Sequence, residues 1–484
     1  MPPHALTRRA LLAAGASAAA LPAFAAAAPR DDLAAAVVEG VNRAEGREAW
    51  VAAHVSPAGL KRRPAEAWVK MLDGLGRASG GLDLVRVNRV GEAPFPLVRT
   101  RMQRLERTLR LRPDRTDPSR IFDLMDAPHP TPFGPLPDRP LSRRALAAAL
   151  RERVAFAARR DEFSGVVRVV DPAGALVFEA AHGVADQDQG APVRPDSRFN
   201  LGSADKSFTA LLIARLVDAG RLSLDTPVAE VMPDYANRET ARAVTVRHLL
   251  THSAGLGDLW SRPAYDGRKR YARVAEIVPA FWDAAPAFPP GSRGDYSNEG
   301  FVLLGALAER VDGRSWWDQL ATHVYAPAGM TRSAHYTLDG PAPARAVGYR
   351  FGEGDALGLN GRSANWSFLG WRGNSCGGGY STAADMTGYL HALRAGRLCA
   401  PGQADQFTTQ NTGGLSSYGM GFIHTEVGGR TVRGHSGGGP ASGINMDAGI
   451  VWETGWAYAV MGNYDAPFAQ FLGGDIGRIL AAQA

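Results

Sequence analysis

Strand signals stand at both ends of the region beyond residue 141, and a long helical stretch separates them. Gly165-Val166-Val167-Arg168-Val169-Val170 and Ala175-Leu176-Val177-Phe178-Glu179 flank Asp171-Pro172-Ala173-Gly174 and read as a hairpin. Strand patterns return at 431–433, 450–452 and 456–460, followed by a last helix over about 466–482. Residues 203 to about 400 are helical segments and long loops. Such an arrangement predicts one antiparallel sheet built from the two ends of the region, flanked by helices, with a helical subdomain inserted: an α+β fold.

A smaller unit precedes it. Residues 34–52 and 65–75 carry helical periodicity, and 82–87 and 108–112 alternate as strands do. Residues 31–125 therefore read as a small α+β domain. Residues 126–140 hold six prolines and read as a stiff linker. The main domain then spans 141–484, opening on a helix over 141–158. Residues 1–28 carry Thr7-Arg8-Arg9-Ala10-Leu11-Leu12, an Ala/Leu-rich stretch and the small-residue sites Ala23-Phe24-Ala25 and Ala26-Ala27-Ala28. This is a twin-arginine export pattern, so a periplasmic or secreted protein is expected. No other segment approaches 18 uninterrupted apolar residues, so no integral membrane segment is expected in the mature chain.

The net charge is only +6 and the cations are spread along the chain, apart from a run over 99–120 interleaved with Glu106, Asp114 and Asp117. That pattern describes a solvated face, not a nucleic-acid site. Cys376 and Cys399 are too few for a disulfide framework and read as free thiols. His248 and His252 form the single His-x-x-x-His pair, but Leu249 stands where a zinc protease needs Glu. They read as structural histidines. No metal and no cofactor is expected.

Ser203-Ala204-Asp205-Lys206 is the one Ser-x-x-Lys in the chain, and Lys206 is one of four lysines among 54 basic residues. Arginine cannot lose its proton in a protein, whereas lysine can when burial or a neighbouring cation favours the neutral amine. A helix over 201–219 places Ser203 in its first turn and Lys206 on the same face. Free N–H groups at that helix start favour developing negative charge. A serine nucleophile with an amine base fits this pattern. Tyr296-Ser297-Asn298 lies on a loop entering a helix over 299–311. Tyr235-Ala236-Asn237 repeats its pattern but reads as a surface loop. Gly434-His435-Ser436-Gly437-Gly438-Gly439 follows a strand, and its glycines permit close backbone approach to a ligand.

Together these motifs resemble the serine β-lactamase and penicillin-binding-protein superfamily. The resemblance covers about residues 155–480 and is nearest to its class C-like branch, which holds D-alanyl-D-alanine carboxypeptidases, D-aminopeptidases and family VIII esterases. Further hallmarks are Phe163-Ser164-Gly165, Arg198-Phe199-Asn200-Leu201-Gly202-Ser203, the 248–256 segment around His248 and His252, and the 378–386 segment beginning Gly378-Gly379-Tyr380-Ser381-Thr382. The resemblance implies a β-lactamase/transpeptidase-like fold and an acyl-enzyme on Ser203. It implies that Lys206 helps activate Ser203, that Tyr296 relays protons, and that Asn298 orients substrate and Lys206. The N–H groups of Ser203 and Gly438 are implied as the oxyanion hole, within the substrate-binding strand His435, Ser436, Gly437 and Gly438.

One departure matters. The family's third motif is often Lys-Thr-Gly, and here it is His435-Ser436-Gly437. The cation that would help bind a substrate carboxylate is missing, which points to an esterase or D-amino-acid peptidase over an efficient β-lactamase. The expected partner is a small-molecule or peptide/ester substrate of cell-wall origin. Two other readings stay open: a non-catalytic penicillin- or cell-wall-binding module, and an α/β-hydrolase using Ser436 in Gly-x-Ser-x-Gly.

Overall fold

The computed structural model describes residues 29–483 apart from 91–92, 103, 105, 128–138, 352–360, 412 and 440. The export pattern at 1–28 and most of the proline-rich stretch lie outside the described residues. The first elements are α1 (Pro29–Asn42), α2 (Arg47–His54), α3 (Pro57–Arg62) and α4 (Ala65–Ser79). The expected single helix over 34–52 is two helices, because Gly46 sits at φ 72, a left-handed conformation that ends a helical run. Strands β1 (Leu82–Val90), β2 (Ala93–Thr100), β3 (Glu106–Pro113) and β4 (Ile121–Ala127) form an antiparallel meander in sequential order. Leu82, Val98, Leu109, Leu111 and Leu124 pack on Trp50, Trp68 and Leu72 of the helices, giving this unit its own core.

Helix α5 (Arg143–Arg159) begins at Ser142, whose Oγ accepts from Ala145 N. Then come β5 (Gly165–Val170) and β6 (Leu176–His182), short β7 (Phe199–Asn200), α6 (Asp205–Asp218) and α7 (Asn298–Asp312). The chain returns through β8 (Tyr380–Ser381), α8 (Ala383–Arg394), β9 (Ile423–Val427), β10 (Arg430–Gly439), β11 (Ile444–Val451), β12 (Ala457–Gly462) and α9 (Phe468–Ala481). The main sheet runs β9-β10-β11-β12-β5-β6, antiparallel throughout. The two ends of the region do share one sheet, joined where β12 pairs with β5.

Period-two alternation sets the layers. Val167, Val169, Tyr458 and Val460 pack on Leu146, Leu150, Ile476 and Leu480 of α5 and α9. Val166, Val170, Ala457, Ala459 and Met461 face a larger core that includes Phe208, Phe301, Leu304 and Leu390 from α6, α7 and α8. The α+β architecture with an inserted helical part thus follows from two apolar faces on one sheet. The two units touch where Phe95 of β2 meets Phe471 of α9 at 5.7 Å between ring centroids. Among the described residues no helix is long and apolar enough to cross a membrane.

Two local expectations change. The helix foreseen over 201–219 starts later, as α6, after a 3₁₀ turn at Gly202–Ala204. Tyr235 is no surface residue: it is fully buried in the large core. The α/β-hydrolase reading fails on topology, since that fold needs a parallel sheet and a strand-to-helix turn at the serine. Ser436 instead lies inside β10, paired with Asp447 of an antiparallel neighbour.

Candidate active site

Ser203 is held by a crossing of backbones. β7 pairs with β8, and Leu201 N donates to Gly379 O (2.7 Å) just before the turn. Gly202 takes φ +48, and a Cβ there would lie 2.6 Å from Gly438 N. A Cβ on Gly437 would lie 1.8 Å from Leu201 O and 3.1 Å from Ser203 N. Only glycines allow β10 this close to the serine turn. Gly438 itself has φ +105.

Helix α6 is buried on nearly every side, so Lys206, one position into it, has no solvent exposure. Its Nζ lies 3.3 Å from Ser203 Oγ, 2.7 Å from Asn298 Oδ1 and 2.6 Å from the Cys376 carbonyl oxygen. Among the described residues no carboxylate pairs with it. Three acceptors match the three protons of an ammonium; as a neutral amine it keeps two N–H donors and a lone pair. Asn298 is fixed at both ends of its amide, because its Nδ2 donates to Asp258 Oδ1 (2.9 Å). Ser297 caps α7: its Oγ accepts from Gly300 N (3.0 Å) and donates to Gly257 O (2.9 Å).

Tyr296 meets Lys206 through its ring, whose centroid lies 4.8 Å from Nζ. The same ring packs on His252, with centroids 4.4 Å apart. His252 Nδ1 accepts from Ser297 N (3.0 Å), so this histidine supports the Tyr296–Asn298 corner from beneath. Burial, reinforced by Lys206 and His435, holds His252 well below the usual histidine range and keeps it neutral. His248 closes a capping box with Thr245. Both histidines are structural, each by a different route.

His435 is buried, not open to a ligand. Its Nδ1 donates to the Ser436 carbonyl (2.6 Å), so Nε2 accepts from the Tyr418 hydroxyl (2.8 Å). Burial pushes its pKa down to about 3; the Ser436 bond opposes this and Lys206 adds to it. No cation therefore stands in the third motif. Ser436 lines a second cavity with Asp447, Tyr458 and Arg478, on the α9 side of the sheet. The substrate-sized cavity, of about 530 Å³, is lined by Ser203, Asn298 and Gly438 together with Asp258, Trp260, Tyr265 and Phe368. Of the eight site residues expected from sequence, Ser203, Lys206, Tyr296, Asn298, Gly437 and Gly438 converge. Ser436 faces the α9 side of the sheet, while His435 packs against Tyr418, the neighbour of His252, and is enclosed beneath the site.

Sequence reasoning missed several participants. Cys376 matters through its carbonyl; its thiol is free and buried, with burial raising it to about 12. Asp205, fully buried, accepts from Gly379 N (2.6 Å) and His335 Nε2 (3.1 Å), tying the 377–379 loop to α6. Asp258 and Tyr418 carry no motif of their own. A buried acid between the serine and lysine of Ser-x-x-Lys was a usable signal; the others meet the site from distant segments.

The family pattern described as Beta-lactamase matches residues 146–482. Penicillin-binding protein 4 of Amycolatopsis lactamdurans is 38% identical over 160 residues, covering 32% of this chain and 41% of that protein. Esterase EstB of Burkholderia gladioli is 33% identical over 204 residues, covering 39% and 52%. This chain thus spans about half the length of the curated relatives it matches. The crystal structure of a penicillin binding protein from Bacillus halodurans superposes with a TM-score of 0.58 at 26% identity, covering 68% of this chain and 98% of that one.

Proposed function

The chain belongs to the beta-lactamase family, and from that premise we propose that it is a serine hydrolase cleaving an ester or amide through an acyl-enzyme on Ser203. The observation that carries this reading is the buried Lys206 amine, 3.3 Å from the Oγ of Ser203, a residue that lines an open cavity. In the neutral state Lys206 donates its two N–H groups to Asn298 Oδ1 and Cys376 O and turns its lone pair to the serine hydroxyl. Ser203 Oγ attacks the substrate carbonyl carbon while its proton passes to Lys206. The carbonyl oxygen becomes an oxyanion between the N–H groups of Ser203 and Gly438. The C–O or C–N bond then breaks, and the leaving group takes a proton relayed by Tyr296. Water, deprotonated along the same route, attacks the acyl-enzyme and frees the acid and Ser203.

A neutral His435 supports esters or simple amides over β-lactams, which profit from a cation in that strand to hold their carboxylate. The twin-arginine pattern at 1–28 supports export and a cell-wall-derived substrate. Incubation with a fluorophosphonate probe tests the chemistry. Covalent labelling that disappears in Ser203→Ala is expected; undiminished labelling in that variant would refute it.

A further inference from the structure

Behind the oxyanion strand lies a second cavity, of about 230 Å³, that shares no lining residue with the reaction cavity. Ser436, Asp447 and Tyr458 reach it from three neighbouring strands, β10, β11 and β12. Ser436 stands opposite Asp447 in the register, so both side chains leave the sheet on the same face. The Tyr458 hydroxyl donates to Asp447 Oδ2 (2.8 Å) and fixes that carboxyl. Asp447 Oδ1 and Ser436 Oγ have no hydrogen-bond partner among the described residues. Helix α9 leaves the space open. A Cβ on Gly473 would lie 2.0 Å from Asp447 Oδ2, whereas one on Gly474 would meet nothing within 4 Å. Glycine at 473 thus lets the helix approach the carboxyl, and glycine at 474 leaves the cavity edge clear.

The lining selects a neutral head group. Burial pushes the Asp447 carboxyl up to about 7, against the Tyr458 hydrogen bond, so at pH 6 it is mostly uncharged and gives a cation little to bind. Arg478, half exposed at the cavity edge, disfavours a cation further. An anion would have to displace the paired Tyr458 hydroxyl or meet an ionising Asp447. A carboxamide meets neither difficulty, because it offers both N–H donors and an acceptor oxygen. Ile423, Val427 and Val432 make the remaining wall apolar, which suits a ring or a short alkyl body. We propose that this cavity binds a neutral carboxamide carried on a small apolar body, with an N–H on Asp447 Oδ1 and the oxygen on the Ser436 hydroxyl. Resting on the serine-hydrolase reading above, occupancy acts on catalysis through β10. Ser436 lies two residues from the Gly438 N–H, and a Cβ on the intervening Gly437 would lie 1.8 Å from Leu201 O, so a shift of the strand is passed to the serine turn.

Benzamide, benzamidine and benzoate share one ring and differ in the charge of the head group. Calorimetric titration of the full-length protein at about pH 6 is expected to give benzamide a Kd of about 1 mM or tighter, with the two charged analogues at least about 10-fold weaker. Asp447→Asn keeps an oxygen for the Tyr458 hydroxyl but turns an N–H toward the ligand, and is expected to weaken benzamide by about 10-fold or more. Gly474→Leu fills the cavity edge and is expected to do the same. Both variants are expected to keep a cooperative thermal transition. No binding, equal binding of a charged analogue, or full affinity in either folded variant overturns the proposal. Saturating benzamide is expected to change kcat for p-nitrophenyl acetate by at least about 2-fold in the full-length protein and not in Gly474→Leu. Binding that leaves kcat unmoved overturns the coupling to β10. Fluorophosphonate labelling is run in parallel. Labelled Ser203 without benzamide binding removes only this site, whereas bound benzamide with Ser203 unlabelled removes the serine-hydrolase reading and leaves the site.

Discussion

Lys206 is fully enclosed, and the role proposed for it depends on that. An exposed lysine side chain wanders; here Asn298 Oδ1 and the Cys376 carbonyl oxygen fix Nζ beside Ser203 Oγ. Lys206→Ala is expected to lower kcat by about 10²–10⁴, the usual worth of a positioned proton-transfer group. Stopped-flow acylation with a chromogenic ester checks it, and an unchanged burst rate would remove Lys206 from the chemistry. The Ser-x-x-Lys spacing and the scarcity of lysine made this pair legible in the sequence. Asp258 and the Cys376 carbonyl were not legible, because a backbone oxygen has no residue type and a lone aspartate on a loop has no period.

At the level of elements, the site is a meeting of three starts and ends: the 3₁₀ turn before α6, the first residue of α7, and the glycine end of β10. Ser297 joins two of the needed fixings, capping α7 and holding Gly257. Ser297→Ala is expected to cost about 1–2 kcal/mol of stability, read as a lower urea midpoint with unchanged m-value. No shift in midpoint would show that the cap is idle. Most strands and helices of the main region were readable from alternation and period. The helix expected over 201–219 begins only at Asp205 because Leu201 and Ala204 continue its apolar pattern in the sequence, while Gly202 at φ +48 and the β7–β8 pairing hold residues 201–204 out of it. Tyr235 was misplaced because a tripeptide between polar residues carries no sign of the core it enters.

At the scale of the whole molecule, three of the buried titratable groups illustrate how stability depends on pH. His252 and His435 are held neutral, with pKa values depressed in the fold. The unfolded chain therefore binds protons that the folded one refuses, and stability falls as pH drops below about 6.5, by about 1.4 kcal/mol per unit for each histidine. Asp447 works the other way. Burial raises it to about 7, with the Tyr458 hydrogen bond opposing, so its stabilisation is present below about 4 and is lost as pH rises through 7. Asp447→Asn is expected to raise the melting temperature at pH 8 and to leave it nearly unchanged at pH 4. An equal gain at both would show that Asp447 ionises freely. Beyond stability, the proposed reaction requires a covalent bond to one named serine. Peptide mapping by mass spectrometry after fluorophosphonate treatment tests that bond most directly. The predicted result is a single adduct on Ser203; an adduct on Ser436, or none, would contradict it.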